Sequence, residues 1–372
     1  MRDKFRAMES EMGATWFERR AEVRGLLVGM VARQHVLFLG PPGTGKSAMG
    51  EDLCSRVGGH YFRWLMSRTS TPEELFGPIS LRALENDSYR RVVTGKLPEA
   101  DIAFLDEVWK ANSAVLNSLL SALNERLFFN DGQPVKMPLQ MVIGASNELP
   151  EDREELGALW DRFGLRYVVG YVKDPHSFDA MLHGAAPASR TTITMAELAA
   201  AQAEAAQVDA SPAFPQLATL RQKMAELNVP VSDRRWKQTL DLLRAHAWME
   251  GRTRTADDDL EILAPALWQE PGQIVQVRGA IMAMANPLNQ EAQDLLDEAM
   301  EVYQTAMAAP EEKAAGAGLE AITKFRRIAK RLEVLKKDAA ERGRGDERIT
   351  EALARTLDWN KEVGKKCLSL SA

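Results

Sequence analysis

Gly40-Pro41-Pro42-Gly43-Thr44-Gly45-Lys46-Ser47, preceded by Val36-Leu37-Phe38-Leu39 and followed by Ala48-Met49-Gly50-Glu51-Asp52-Leu53-Cys54, is the stretch around which the chain is organised. An apolar strand runs into a glycine-rich turn and then a helix, the G-x-x-x-x-G-K-S arrangement of a P-loop. The outer glycines let the backbone turn its N–H groups inward at β- and γ-phosphates. Lys46 adds a point charge, and the Ser47 hydroxyl is a ligand for Mg²⁺. Residues Gly40 to Ala48 are therefore expected to line a phosphate site. The competing possibility, a glycine-rich turn that binds nothing, is disfavoured by the strand and helix on either side.

At 372 residues the chain predicts two or three domains, and a hydrophobic content of 45% lets each bury a core. No run of 18 apolar residues occurs, so no transmembrane helix is expected. The charged start, Met1-Arg2-Asp3-Lys4-Phe5-Arg6, lacks the apolar region of a signal peptide. Cys54 and Cys367 lie far apart, which suits a reducing compartment and predicts neither a disulfide nor a metal site; a cytoplasmic location follows as the expectation. The net charge of -6 argues against a wholesale nucleic-acid binder, although residues 311–372 hold 15 Lys and Arg against 11 Asp and Glu.

Apolar positions over residues 14–32 (Trp16, Phe17, Val23, Leu26, Leu27, Met30, Val31) predict one helix leading into a strand at His35. His60 to Leu65 reads as a second strand. Thr71 to Gly77 starts an interrupted helix, and residues 77–98, with two Gly and two Pro, suit a hairpin. Asp101-Ile102-Ala103-Phe104-Leu105-Asp106-Glu107 is an apolar strand that delivers two carboxylates at its carboxyl end. Ligands lie outside that end of a parallel sheet, so Asp106 is placed to reach the Mg²⁺ shell and Glu107 to activate a water. Residues 113–127 form an amphipathic helix and 128–136 a hairpin turning at Asp131-Gly132. Met141 to Glu148 is another buried strand, ending in Asn147, an amide that can hold an attacking water without adding repulsive charge. A fifth strand, 165–172, completes a three-layer α/β domain over residues 1–183.

Composition shifts at Gly184-Ala185-Ala186-Pro187-Ala188-Ser189. Helices at 195–206, 213–227, 232–249 and 256–268 then predict an all-α domain over 184–282. Residues 288–308, 311–341 and 346–370, broken at Pro310 and Gly343-Arg344-Gly345, predict a helical hairpin or triple-helix bundle over 283–372, with Leu319, Phe325, Leu332, Leu335 and Leu357 among its apolar positions.

Together these motifs, with Asp161-Arg162-Phe163 and Val231-Ser232-Asp233-Arg234-Arg235-Trp236, resemble those of the AAA+ ATPases of the MoxR family, most closely the RavA branch. The resemblance implies a parallel sheet of strand order 5-1-4-3-2, an α-helical lid, and a hexameric ring with ATP and Mg²⁺ between subunits. It assigns Lys46 and Ser47 to the P-loop, Asp106 and Glu107 to the Walker B acids, Asn147 to sensor one and Arg162 to the arginine finger. Arg234 matches the sensor-two arginine of the lid, with Arg235 as a close rival. Residues 77–98 resemble the helix-2 insert of this clade and 128–136 its pre-sensor-one hairpin, both facing the ring's channel. The β-rich insertion of the RavA branch is missing from the helical C-terminal region.

The resemblance implies ATP-driven remodelling or assembly of protein clients beside a partner with a von Willebrand factor A (VWA) domain. The alternatives are a nucleic-acid motor of the same clade and a nucleotide-gated scaffold. Nucleic acid is not the expected partner: Arg82, Arg90, Arg91 and Lys96 against Glu85 and Asp87 make residues 77–98 only mildly basic, without stacking platforms for single strands. The intact Glu107 and Asn147 weigh against a scaffold without turnover.

Overall fold

The computed structural model describes residues 1–149, 153–184, 190–341 and 346–368; the expected breaks at 185–189 and 343–345 lie outside them. Seven strands occur among the described residues: β1 (His35–Leu39), β2 (Tyr61–Leu65), β3 (Ile102–Asp106), β4 (Leu127–Asn130), β5 (Gln133–Lys136), β6 (Met141–Ser146) and β7 (Phe163–Val168). Five of them form a parallel sheet in the order β2-β3-β6-β1-β7, which is the predicted 5-1-4-3-2. β1 and β6 are buried along their whole length, as expected of central strands written as unbroken apolar runs. Register aligns Leu37 with Gly144 and Arg166, so the carboxyl ends of β1, β6 and β7 emerge side by side.

The helix expected over 14–32 begins only at Arg20 and runs to Val31, after a separate helix, Arg2–Thr15, that was not predicted. Glu18 separates the two with a left-handed φ of 58°, and its carboxylate accepts the N–H groups of Lys173 and Asp174 beyond β7. Arg19 donates to the Gly170 carbonyl. Bonds to a distant loop thus replace the helix's own. The hairpin expected over 77–98 is instead a single turn of helix, Leu81–Leu84, capped by Ser80, beside one isolated bridge between Ile79 and Arg91. It is tied to the β4–β5 hairpin: Asp131 accepts from Ser88 Oγ and Tyr89 N, and Asn130 from Arg91 N.

The lid helices Met195–Ala206, Phe214–Glu226 and Asp233–Met249 follow the predicted spans, but 256–268 splits into a 3₁₀ helix, Asp257–Leu263, and a short α-helix, Ala264–Leu267. The buried Asp259 carboxylate fixes that 3₁₀ start by accepting from Ala256 N, and it pairs with His246 and Arg252. Helices at Pro175–His183 and Ile274–Ala285 were not among those predicted. The first carried a legible start signal, since the Asp174 side chain caps Ser177 N and Pro175 occupies the first turn.

The chain divides into two compact units, Met1–Val277 and Arg278–Ala372, so the sheet domain and the lid fall in one. The second holds the helices Pro287–Met307, Glu311–Glu341 and Glu347–Leu368 around Phe325, Ile328, Leu332, Leu335, Trp359 and Val363, and no strand occurs there among the described residues. Leu319 and Leu357, predicted to face this core, are exposed.

His35 starts β1 as a buried imidazole that accepts from Val142 N on Nδ1, so that Nε2 carries the hydrogen and donates to the Leu123 carbonyl at 2.9 Å. Burial, helped by the Arg126 charge, pushes its pKa down to about 4. The unfolded imidazole titrates near 6.5, so below that pH the unfolded chain binds the proton and the folded one does not. This group's contribution is complete above pH 6.5 and falls as pH drops toward 4, by about 2 kcal/mol between pH 7 and pH 5. Denaturant titrations at those two pH values should show that loss in the wild type and a smaller one in His35→Gln; equal losses would refute it.

Candidate nucleotide site

The P-loop leaves β1 at Gly40, whose N–H bonds the Ser146 carbonyl at 3.1 Å. Its φ is 142°, and a Cβ there would sit 2.1 Å from the Val169 carbonyl oxygen, so the loop passes β7 at a distance only glycine permits. Thr44 Oγ1 bonds back to the Pro41 carbonyl at 3.0 Å, while Pro42, Gly43 and Ala48 are exposed. Gly45, in the left-handed conformation, forms the N-terminal boundary of the helix Lys46–Arg56. The Trp16 indole packs against it and donates to Asp52 on the same helix.

Lys46 is buried. Its ammonium donates to the carbonyls of Gly40 at 2.5 Å and Pro41 at 2.8 Å and to Asn147 Oδ1 at 3.0 Å, all neutral oxygens. Burial lowers its pKa, against the pull of Asp106 and Glu107. A buried cation without a carboxylate at contact distance is an incomplete pair, and an anion such as a phosphate completes it. Ser47 Oγ donates to Asp106 Oδ2 at 3.1 Å, two hard oxygen donors of the kind Mg²⁺ takes. Among the described residues no group of three His, Cys, Asp or Glu side chains gathers.

Glu107 follows β3 in the left-handed region, φ 52°, strained for a residue with a Cβ. Asn147 Nδ2 donates to one of its oxygens, and Lys110 Nζ lies 3.5 Å from the other, which is buried and has no hydrogen-bond donor. Lys46, Ser47, Asp106, Glu107 and Asn147 thus converge at the carboxyl ends of β1, β3 and β6. Lys110, one turn past Glu107, was not singled out in the sequence; its spacing of three was the available signal.

The arginines lie elsewhere. Arg162 is half-buried just before β7, its Nε is buried without a hydrogen-bond partner, and it bonds none of the five residues above. Arg235 is buried, donating to the carbonyls of Asp161, Phe163, Gly164 and Ala266 and to the Asp161 carboxylate. Arg234 is 46% exposed and 3.8 Å from Asp161. The two rivals are therefore separated by burial: Arg235 fastens the lid helix Asp233–Met249 to β7, and Arg234 is left half in solvent. Arg166, also buried, stacks between Trp160 and Trp268 and donates to the Ala266 carbonyl.

A family model described as the MoxR domain in the MoxR-vWA-beta-propeller ternary systems matches residues 3–208, and an AAA lid domain model matches 214–281. An uncharacterised protein of Methanocaldococcus jannaschii is 37% identical over 80% of this chain and 77% of its own length. Protein MoxR of Paracoccus denitrificans is 25% identical over 71% of this chain and 87% of its own. A crystal structure from Cytophaga hutchinsonii superposes with a TM-score of 0.60 over 77% of this chain and 95% of its own, at 16% identity, a likeness of fold.

Truncating Arg235 takes one donor from the buried carbonyls of Phe163 and Gly164 and the buried cation from the Asp161 carboxylate, so Arg235→Ala should cost about 3–5 kcal/mol. Arg234→Ala removes a solvent-exposed pair and should cost under about 1 kcal/mol. Denaturant midpoints of the two variants measure the contrast; equal losses would contradict the assignment.

Proposed function

Because the chain belongs to the MoxR family of AAA+ ATPases, we propose that it hydrolyses ATP as a six-subunit ring and uses the cycle to remodel or assemble protein clients. The observation that carries this is the convergence of Lys46, Ser47, Asp106, Glu107 and Asn147 on one end of the sheet. Lys46 exchanges its loop carbonyls for the β- and γ-phosphates. Ser47 and Asp106 would hold Mg²⁺, which neutralises developing phosphate charge. Asn147, already bonded to Glu107, orients the attacking water, and Glu107 takes its proton. Arg234, exposed at the lid's edge, reaches the γ-phosphate of its own subunit. Arg162, outside its own site, serves the neighbour's.

The description of the matching model supports a partner with a VWA domain, and a β-propeller protein as the third component. No described helix is long and apolar enough to cross a membrane, and we place the protein in the cytoplasm. A polypeptide client suits the linked insert and hairpin, which expose Leu81, Leu84, Tyr89, Val92, Phe129 and Val135. The sequence predicted no stacking platform there, yet Tyr89 and Phe129 are open to solvent, so single-stranded DNA is the control ligand for any client assay.

Lys46→Ala should lose nucleotide affinity, because the phosphates lose their cation. Glu107→Gln should bind ATP as the wild type does and lose turnover by a factor of about 10²–10⁴, because only proton transfer is removed. Steady-state hydrolysis and binding of a fluorescent ATP analogue separate the two. Wild-type turnover in Glu107→Gln would sink the proposal.

A further inference from the structure

One carboxylate, Asp161, sits against the start of the lid helix and directly before Arg162. Asp161 accepts from Ser232 Oγ at 3.1 Å on both oxygens and from Arg235 Nε and Nη2 at 3.3 Å on Oδ1, and its Oδ2 lies 3.8 Å from Arg234 Nη1. Ser232 also caps the lid helix, accepting from Arg235 N at 3.2 Å, so every side-chain partner of Asp161 belongs to that helix's start. The residue after Asp161 is Arg162, whose backbone N–H is held by the Leu159 carbonyl at 3.0 Å. Of the two cations on Asp161, Arg235 is anchored by buried carbonyls, while Arg234 stands beyond hydrogen-bond distance and is half in solvent. The carboxylate therefore has one permanent cation and one that can be drawn away.

We propose that Asp161 is a positioning residue that couples a subunit's own nucleotide to the arginine it offers its neighbour. This rests on the roles proposed above for Arg234 and Arg162. A γ-phosphate and Asp161 compete for the Arg234 guanidinium. When the phosphate wins, Asp161 loses the Arg234 charge and keeps only its Ser232 and Arg235 bonds, and the carboxylate's adjustment moves the adjoining Arg162. Without the phosphate, Asp161 holds Arg234 back and opposes ATP binding. The coupling is reciprocal, as linkage requires.

Asp161→Asn keeps the shape and the hydroxyl contact but discards the charge. In the full-length chain it should bind a fluorescent ATP analogue about two- to fivefold more tightly, since an exposed pair no longer competes, and it should lower kcat at least about tenfold, since Arg162 loses its guide. A structural lesion would instead weaken binding and turnover together. The gain in affinity should vanish in Asp161→Asn combined with Arg234→Ala. Asp161→Glu retains the charge and moves its position: affinity within about twofold of wild type, kcat down at least about fivefold. The proposal is overturned if Asp161→Asn binds the analogue no better than wild type, if its gain persists without Arg234, or, should that variant not fold, if Asp161→Glu turns over at the wild-type rate. Failure of the ATPase proposal itself registers separately, as wild-type turnover in Glu107→Gln.

Discussion

The ammonium of Lys46, buried against three neutral oxygens, is the feature on which the site depends. Two of those oxygens are P-loop carbonyls and the third is the side chain of Asn147, so one cation binds the turn after β1 to the end of β6. That link requires β1 and β6 to be neighbours, and the parallel register supplies it, pairing Leu39 with Ser146. β3 on the other side of β6 adds Asp106 and Glu107. The sheet order thus selects which side chains share the site, and the buried Lys46 charge suits it to an anion.

Much of this was legible in the sequence. The central strands are buried on both faces, so they are written as unbroken apolar runs, and the chemistry sits at their ends, where polar residues stand out from their surroundings. The amphipathic helices of the C-terminal unit were legible for the related reason that one face is apolar. Features set by remote partners were not. Glu18 has nothing in its own neighbourhood to announce a helix break; the groups it accepts from are 155 and 156 residues away. Asp161 stood inside a recognised motif, yet its partners lie more than 70 residues downstream. Arg234 and Arg235 are adjacent and chemically identical, and only burial tells the anchor from the exposed group.

The positions of the arginines carry the mechanistic consequence. Lys46 supplies one positive charge at the site and Lys110 is engaged with Glu107. Phosphoryl transfer spreads negative charge over the γ-phosphate oxygens, and a further cation stabilises that state by roughly 4 to 7 kcal/mol, or about 10³–10⁵ in rate. Arg162 carries such a charge and has a buried Nε without a hydrogen-bond partner, yet it bonds none of the residues of its own site. It lies at the amino end of β7, the edge strand next to β1, whereas the P-loop leaves the carboxyl end of β1.

The central claim is therefore that each hydrolytic site is completed by another subunit. The most direct measurement mixes Arg162→Ala with Lys46→Ala subunits, each inactive alone, and follows ATP hydrolysis while labelled subunits report mixed rings. Some interfaces in a mixed ring join an intact P-loop to an intact Arg162, so the account predicts that part of the wild-type rate returns. Mixed rings that form and hydrolyse no more ATP than either variant alone would contradict it.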